Sequence, residues 1–554
     1  MERDITRLSK KKYDVLIIGA GIYGAATAWD AASRGLSVAL LDKNDFGSKT
    51  SFNSQKIIHG GLRYLQHGDF KRVRESACER TSLMRIAPHL VHPMPCLIPI
   101  YGQTMRFIMP LALKTFDLFS YDRNTLKDPQ KHIPNSRIVS KAECMQLIPG
   151  LMEDGLTGGS IWYDAQAYNT ERLVLSFIRS AEKAGADVAN YLEVIDFIID
   201  ENRIKGIKAK DLLNSEELEI RAEIVVNASG PWINQISSLL PSSVNPNIRF
   251  VKMLIIIVKR IFIQDYAFGI QFRKKFEDKD NIVNKGYRLL FITPWRKYSL
   301  VGAAQQPYNE DIDNPSISED EILKLIEEVN EAYPQAVLTL KDVSFYYRGL
   351  LPIDNINQDG DIKISKHNEI YDYRKSGIEG LISIISVKYT TARNAAQMVT
   401  DMVYKELGKP LIKCKTMKTP IYGGDIERFD DFLLNAIEHR PQTLDKEIIR
   451  NLVYNYGSEY QKVLKYLDED AGYGQRITDT SNVIKAEIIH AIRDEMAQKL
   501  EDVVLRRTEL GSAEYPGDEG LEICACIMAQ EMGWGRSRIQ EEINNIKSLY
   551  VPLI

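Results

Sequence analysis

The residues whose spacing suggests chemistry form a glycine-rich turn near the start of the chain. Gly19, Gly21 and Gly24 follow a short apolar run, and a second apolar run at 38–41 ends in Asp42. In a strand–turn–helix–strand unit, such glycines allow a tight turn, a close approach of the backbone to a pyrophosphate and close packing of the helix, and the carboxylate accepts a hydrogen bond from a ribose hydroxyl. The pattern therefore predicts dinucleotide binding. An ordinary βαβ unit with a glycine turn and no ligand is the alternative.

A polar stretch directly after this unit has the composition of a loop that closes over a ligand. Its small hydrogen-bonding residues include Thr50, Ser51 and Ser54, and lysine, histidine, glycine and arginine residues follow as far as Arg63. Serine, threonine, asparagine and glycine favour turns, so we do not expect a core strand at this position.

Several of these residues also have a plain structural interpretation. An alternative for Lys56 and Arg63 is that they are simply charged side chains in solvent. An alternative for His59 is that it only forms hydrogen bonds and has no role in proton transfer. The basic pair at 506–507 is expected on a solvated helix face or at a subunit contact.

The elements that must position these residues are predicted by apolar runs and helical patterns. The run 222–227 enters a small-residue turn, which fits the last strand of a nucleotide-binding sheet. The segments 249–263 and 288–302 are strand-rich and indicate a second, substrate-facing sheet. The chain beyond 409 is charged and helical. The sequence thus predicts an α/β dinucleotide-binding domain, a second sheet and a helical C-terminal part.

The composition of the 554 residues excludes some classes of function. With 71 Lys and Arg against 75 Asp and Glu, the net charge is −4, so no overall field favours nucleic acid. The six cysteines form no zinc or redox spacing and are expected to be free thiols. Neither a signal peptide nor an apolar run of the ~20 residues that span a bilayer is visible. We therefore expect a cytoplasmic protein, and contact with the inner face of the membrane is left open.

Four sequence strings together resemble one protein family. They are residues 19–24 (GAGIYG), 56–65 (KIIHGGLRYL), 227–232 (NASGPW) and 388–393 (KYTTAR). Their order and spacing resemble the FAD-dependent glycerol-3-phosphate dehydrogenases, and the second string is rather specific to that family. The others are shared with the wider group of D-amino-acid-oxidase-like flavoproteins. The resemblance runs nearly end to end and implies FAD rather than NAD as the cofactor.

The resemblance implies three domains. They are a Rossmann-like FAD-binding domain, an antiparallel-sheet substrate domain that roofs the flavin, and a C-terminal α-helical domain. The implied boundaries are 13–75, 150–245 and 345–408 for the FAD-binding domain, 76–149 and 246–344 for the substrate or cap domain, and 409–554 for the C-terminal domain.

The resemblance also implies roles for individual residues. The residues expected to bind FAD are Gly19, Gly21, Gly24, Asp42, Lys43, Thr50, Ser51, Ser54, Lys56, His59, Gly60, Gly61, Val194, Ala228, Gly230, Trp232, Lys388 and Thr390. The residues expected to act on the substrate are His59, Arg63, Tyr64, Arg348 and Lys388. The implied reaction is hydride transfer from a carbon centre to flavin N5, in which arginine suits the binding of an anionic substrate and histidine the removal of a proton. No metal site is expected.

The sequence departs from the family where the substrate would bind. Ile255 stands at the position of the family's histidine, Leu351 replaces a phosphate-binding arginine, and Gln305 ends a string that reads Gly-Thr-Thr-Asp in the family. Ser386 and Val387 replace a glycine pair. Loss of one bidentate arginine–phosphate contact from a desolvated site would weaken binding by about 2–5 kcal/mol. These changes predict a diverged substrate site.

Three functions follow from these observations. The first is an FAD-dependent oxidoreductase that oxidises a C–OH or C–N centre of a substrate other than free glycerol-3-phosphate. The second is ordinary oxidation of glycerol-3-phosphate to dihydroxyacetone phosphate, and the third is a flavin-binding partner protein without turnover. The expected electron acceptor is a quinone or oxygen, since the cysteines form no iron–sulfur pattern. A homo-oligomer is left open.

Overall fold

A computed structural model of the chain describes residues 1–240, 247–275, 287–313, 315–356, 362–365, 368–385 and 388–553. Ser386 and Val387 lie outside the described residues. The strands are β1 Lys12–Ile18, β2 Val38–Leu41, β3 Ile57–Ile58, β4 Val91–Tyr101, β5 Arg137–Ser140, β6 Leu156–Ala167, β7 Asp187–Ala189, β8 Leu192–Asp200, β9 Arg203–Asp211, β10 Glu217–Asn227, β11 Arg249–Lys259, β12 Ala267–Lys275, β13 Tyr287–Trp295, β14 Tyr298–Tyr308, β15 Val343–Ile356, β16 Ile362–Ile364, β17 Glu369–Asp372 and β18 Leu381–Ile385.

The α-helices are α1 Ile5–Lys10, α2 Ile22–Ser33, α3 Phe70–Ile86, α4 Gln103–Phe119, α5 Lys141–Leu147, α6 Thr170–Lys183, α7 Ile233–Ser238, α8 Glu319–Ala332, α9 Ala392–Glu406, α10 Phe429–Glu438, α11 Lys446–Tyr456, α12 Tyr460–Leu464, α13 Lys485–Arg493, α14 Gly517–Met532 and α15 Arg536–Ser548. Among the described residues, no helix combines the length and the apolar character needed to cross a bilayer.

The first sheet has a parallel centre. Its strand order is β17–β18–β10–β1–β2–β7, and β9 and β8 continue from β10 as an antiparallel extension. The central strands pair in parallel, and β2 and β18 are buried along their whole length, as expected for strands covered on both faces. The predicted strand–turn–helix–strand unit is confirmed as β1, α2 and β2.

Helix α2 covers one face of this sheet because its small side chains allow close packing. Its alanines share one buried cluster with apolar residues of α6 and α9, and Trp29 meets Phe177 edge-on with ring centroids 5.4 Å apart. The N-terminus of α2 is therefore held rigidly at the carboxyl ends of β1 and β2, where ligands bind in such sheets.

The second sheet is largely antiparallel and roofs the first. Its strand order is β16–β15–β11–β14–β13–β12–β4–β6–β3, with β5 beside β6, and the pairing of β12 with β4 is parallel. The expected antiparallel substrate sheet is thus present. Its membership differs from the implied domain boundaries, because β3, β6 and β15 pair in this sheet although their residues were assigned to the FAD-binding domain. Strand alternation indicates a buried face but does not determine which sheet a strand joins.

The C-terminal part of the chain is helical, as expected, and buried ion pairs join it to the rest. Arg507 pairs with Asp45 at 2.7 Å and Arg506 pairs with the same carboxylate at 2.6 Å, and all three side chains are buried. The expectation that this basic pair lies on a solvated helix face is therefore wrong. Arg172 and Glu495 form a second such pair at 2.6 Å.

Candidate active site

The glycine turn has the geometry that close approach of a ligand requires. Gly19 has a φ of 96°, and a Cβ atom placed on it would lie 2.6 Å from the carbonyl oxygen of Ala228. A Cβ atom on Gly24 would overlap the carbonyl oxygen of Gly19. Gly21 is the N-cap of α2. The turn thus places backbone without side chains next to the N-terminus of a helix. This arrangement binds a diphosphate.

Asp42 closes the turn from the side of β2. Its carboxylate accepts hydrogen bonds from the backbone N–H groups of Ala20, at 2.7 Å, and Asn44, at 2.8 Å. Burial raises the pKa of Asp42 to about 6, so the group is still ionised at neutral pH. An ionised carboxylate at this edge is the acceptor that a ribose hydroxyl needs.

A cavity of about 670 Å³ runs from this turn to the underside of the second sheet. The predicted residues that line it are Gly19, Gly21, Asp42, Lys43, Thr50, Ser51, Ser54, His59, Val194, Ala228, Gly230, Trp232, Lys388 and Thr390. The glycine cradle, the helix N-terminus and the acidic residue lie at one end of this cavity, and the residues expected around the flavin lie at the other. The residues present therefore fit an extended flavin dinucleotide.

Ser51 shows how the polar loop approaches the turn. Its Oγ accepts a hydrogen bond from the backbone N–H of Ile22 at 3.0 Å, and a Cβ atom on Gly21 would lie 3.1 Å from the same oxygen. The polar loop therefore contacts the N-terminus of α2 directly, and both line the cavity.

Some predicted residues lie away from the cavity. Lys56 is buried and pairs with Glu171 at 2.7 Å, so its assignment to FAD binding does not fit the structure. The exposed Arg63 also lies outside the lining. Arg348 lines a neighbouring pocket, where its side chain donates to the Tyr346 hydroxyl at 3.3 Å. The side chains of Lys56 and Arg348 are held by Glu171 and Tyr346, partners that the sequence does not reveal. The predicted role of Arg63 toward the substrate stays a prediction.

The glycines outside the lining have supporting roles. Gly24 allows α2 to pack on the turn, and the N–H of Gly60 donates to Asp164 at 2.7 Å. Gly61, with a φ of 93°, begins the 3₁₀-helix Leu62–His67, which carries Tyr64.

His59 and Asp164 form a pair at the flavin end of the cavity. His59 Nδ1 lies 3.1 Å from an Asp164 carboxylate oxygen, and the His59 side chain is 48% exposed whereas that of Asp164 is 6% exposed. Burial alone would raise the pKa of Asp164, but the hydrogen bond from His59 and the charges of His59 and Arg80 bring it below its ordinary value. An ionised partner therefore orients the imidazole.

Asp164 belongs to none of the motifs that the sequence shows. The local signal is that Asp164 is the one charged residue in strand β6. Its contact with His59 depends on the pairing of β3 with β6, which joins residues about a hundred positions apart.

Lys388 lies over the ring of Tyr64, with Nζ 3.7 Å from the ring centroid. Burial lowers the pKa of Lys388 to about 7, while nearby carboxylates, above all Asp164, oppose this shift. Burial also raises the pKa of Tyr64 to about 12, so the phenol is neutral. The lysine is therefore a cation that readily loses its proton near neutral pH.

The roof of the cavity is apolar. Met253 and Ile255 of β11, Ala303 of β14 and Leu351 of β15 line it. Ile255 is buried and lies opposite Gly302 and Tyr347 in the ladder. Gln305 pairs with Met253 in the ladder and lies outside the lining.

Comparisons with known proteins agree with this geometry. Residues 14–402 match the family model described as FAD dependent oxidoreductase, and residues 414–539 match the C-terminal domain of alpha-glycerophosphate oxidase. The chain is 32% identical to a glycerol-3-phosphate dehydrogenase of Synechocystis sp., over 98% of this chain and 97% of the relative. It is 31% identical to glycerol-3-phosphate dehydrogenase 2 of Mycobacterium tuberculosis, over 97% and 88%.

A solved structure gives the same result for the fold. The glycerol-3-phosphate dehydrogenase of Bacillus halodurans, crystallised with FAD, superposes with a TM-score of 0.78 at 25% identity, over 98% of this chain and 96% of that one. The glycine cradle, the cavity and these matches over nearly the whole length agree. The chain belongs to the glycerol-3-phosphate dehydrogenase family of FAD-dependent oxidoreductases.

Proposed function

We propose that this chain oxidises a C–OH or C–N centre of a substrate other than free glycerol-3-phosphate. The observation that carries the proposal is the apolar roof, in which Ile255 and Leu351 line the cavity. The resemblance implies that the family has a histidine and a phosphate-binding arginine at these two positions. Neither side chain can hold a phosphate or move a proton. A larger alcohol, an amine, or a glycerol phosphate within a bigger molecule would bury apolar surface against them.

The residues that would hold FAD are those of the glycine turn and the polar loop. The backbone around Gly19 and Gly21 and the hydroxyl of Ser51 would hold the diphosphate, and Asp42 would accept from the ribose. Bound FAD supplies a two-electron acceptor for the hydride that leaves the substrate carbon.

The proton of the substrate goes to a residue of the chain. His59 is the base that the cavity supports, because Nδ1 faces Asp164 and Nε2 is left as the basic atom. Asp164 keeps the imidazole in this tautomer and stabilises the cation formed when Nε2 takes the hydroxyl proton. Lys388, close to the same end, would bind and orient an anionic part of the substrate.

Anaerobic bleaching of the flavin absorbance tests this proposal directly. A panel of primary and secondary alcohols, amines and glycerol phosphodiesters is mixed with the FAD-loaded protein, and bleaching rates are compared with those for glycerol-3-phosphate. We expect a larger, less phosphate-like compound to give the highest kcat/KM. Rapid bleaching by glycerol-3-phosphate at micromolar KM would overturn the proposal.

A double variant adds a gain-of-function test. I255H/L351R restores the two family side chains, and we expect activity on glycerol-3-phosphate to rise by about 30-fold or more, because one restored arginine contact alone is worth about 2–5 kcal/mol. The size-matched variant I255L/L351M is the control and should show no such rise.

Ordinary glycerol-3-phosphate oxidation is the second candidate. The names of the relatives favour it, since the chain matches them over nearly its whole length. In that case Lys388 would hold the phosphate and His59 would act as the base.

We further propose that quinone or oxygen reoxidises the flavin. Stopped-flow reoxidation of the reduced protein with air-saturated buffer and with a short-chain quinone distinguishes the two acceptors, because only one should react at a rate that matches turnover.

A further inference from the structure

A second pocket of about 360 Å³ lies between the polar loop, β15 and the C-terminal helices. Its lining includes Lys49, Asn53, Trp232, Arg348 and Lys499. We propose that this second pocket binds an anion of the phosphate class, a phosphate ester or a diphosphate, and that it does so while FAD occupies the first cavity.

The cations of the second pocket are available for a ligand. Lys49, Arg348 and Lys499 make no ion pair within 4.0 Å with a carboxylate of the described residues. Lys49 is largely enclosed, and burial lowers its pKa below the ordinary value. A bound anion would offset this desolvation, because an opposite charge nearby favours the protonated lysine.

The carboxylates that line the same pocket already have partners. Asp313 accepts from Lys43 at 2.5 Å and from the indole N–H of Trp232 at 2.8 Å. Glu501 pairs with Arg506 at 3.1 Å. Glu542, also in the lining, pairs with Arg538 and accepts from the backbone N–H of Leu500. The unpaired charge of the pocket is therefore positive.

Arg348 is oriented by neighbouring residues and keeps donor groups for a ligand with several oxygen atoms. Its backbone N–H donates to Asn53 at 3.0 Å, and one guanidinium nitrogen donates to the Tyr346 hydroxyl at 3.3 Å. The remaining guanidinium N–H groups form a planar fork that matches phosphate oxygens. A phosphate dianion or a diphosphate offers more oxygen atoms and more negative charge than a single carboxylate, and so suits a pocket lined by several cations. Lys499 Nζ lies over the ring of Tyr191, 4.5 Å from its centroid, and would turn toward the anion.

The second pocket is distinct from the FAD cavity but shares a wall with it. Nine residues line both, among them Lys49, Asn53 and Trp232, whereas Gly21 lines only the first and Arg348 only the second. The Thr50 hydroxyl donates to the Leu350 carbonyl at 3.3 Å and closes part of this wall. The proposed ligand is independent of which substrate is oxidised, so the two proposals fail separately.

Calorimetric titration of the FAD-loaded full chain with sodium phosphate and with sodium pyrophosphate, at ionic strength fixed with chloride, tests the inference. We expect one saturable site for pyrophosphate, with weaker binding of phosphate. R348Q and K499Q should each weaken pyrophosphate binding at least 10-fold, and flavin content and the circular dichroism spectrum should not change. K446Q, which alters an exposed lysine elsewhere, is the matched control and should bind as the parent does.

Three results would overturn the inference. One is the absence of saturable pyrophosphate binding by the FAD-loaded protein at millimolar concentration. Another is binding that R348Q and K499Q leave unchanged. The third is binding that appears only after FAD is removed, because the pyrophosphate would then occupy the diphosphate position of the first cavity.

Discussion

Arg507 donates two hydrogen bonds to the carboxylate of Asp45, at 2.7 and 2.8 Å, across 462 positions of the chain. Both side chains are buried, and Asp45 lies only three residues beyond Asp42. The carboxylate that anchors the C-terminal helices is therefore in the same short segment as the acidic residue of the FAD site. Arg506 adds a third contact to Asp45 at 2.6 Å.

Replacing Asp45 tests how much these buried ion pairs contribute to the stability of the fold. D45N removes the carboxylate partner of the buried Arg507, while Arg506 keeps its pairs with Glu501 and Asp502. Removal of one partner of a buried ion pair typically costs about 3–5 kcal/mol. We expect the urea midpoint of unfolding, followed by circular dichroism, to fall accordingly. D265N, which removes an exposed partner of Arg260, should cost less than about 1 kcal/mol. Equal effects of the two variants would contradict the assigned role of Asp45.

Gly24 should be required for FAD retention. G24A places a methyl group on the carbonyl oxygen of Gly19, so the turn must open and the helix N-terminus must move. We expect purified G24A to lose most of its flavin absorbance per protein chain. G535A is the control, because a Cβ atom on Gly535 meets no atom within 4 Å and its φ is negative. A yellow, fully loaded G24A protein would show that the turn tolerates this displacement.

Asp164 should position the base rather than bind substrate. In D164N the amide cannot stabilise a protonated His59, and general base catalysis by a positioned side chain is worth about 10²–10⁴-fold. We expect kcat to fall within that range while KM and flavin content change little. E153Q, at an exposed site, serves as control. A parallel rise in KM would instead indicate direct contact of Asp164 with substrate.

Lys388 should give activity on anionic substrates a dependence on pH. The lysine is a cation below its pKa of about 7, so binding of an anion is strongest at lower pH and weakens as the pH rises through that value. We expect kcat/KM to decline on the alkaline side, and K388R to remove this decline because arginine stays charged. K388M should weaken the binding of anionic substrates at every pH. An unchanged alkaline limb in K388R would exclude Lys388 as its source.

Lys388 should also make the stability of the fold depend on pH. Burial holds its folded pKa near 7, below the ordinary 10.5, so the unfolded chain binds more protons between these values. Stability should therefore rise with pH across this window, and the rise should be smaller in K388M. The measurement is the urea midpoint of unfolding of the parent protein and of K388M from pH 7 to pH 10. Parallel plots of midpoint against pH would contradict the assignment of a lowered pKa to Lys388.

The cofactor half of the site could be predicted from sequence because its signals are local. The order of β1, the glycine turn, α2, β2 and Asp42 is set within about thirty residues, and each part has a backbone requirement that few residue types meet. Ile255 and Leu351, which the sequence assigned to a diverged substrate site, line the apolar roof of the cavity. The divergence of the substrate site itself stays a prediction.

The remaining features depend on partners that are distant in sequence. Lys56 pairs with Glu171, Asp164 meets His59 through the pairing of β3 with β6, and Arg507 reaches Asp45. A lysine in a polar loop or an arginine pair on a helix has the same local pattern whether it is solvated or buried. Only the folded chain determines which charges become partners, and so these assignments were missed or wrong.

The roof strands have a consequence for how new specificities arise. Ile255 and Leu351 project from β11 and β15, whose ladder is held by main-chain hydrogen bonds that do not depend on side-chain identity. Exchanging these side chains therefore alters what the cavity admits without disturbing the frame, while the glycine cradle tolerates little change. Variation on these two adjacent strands would therefore reshape one wall of the cavity while the turn that faces its other end is conserved in shape.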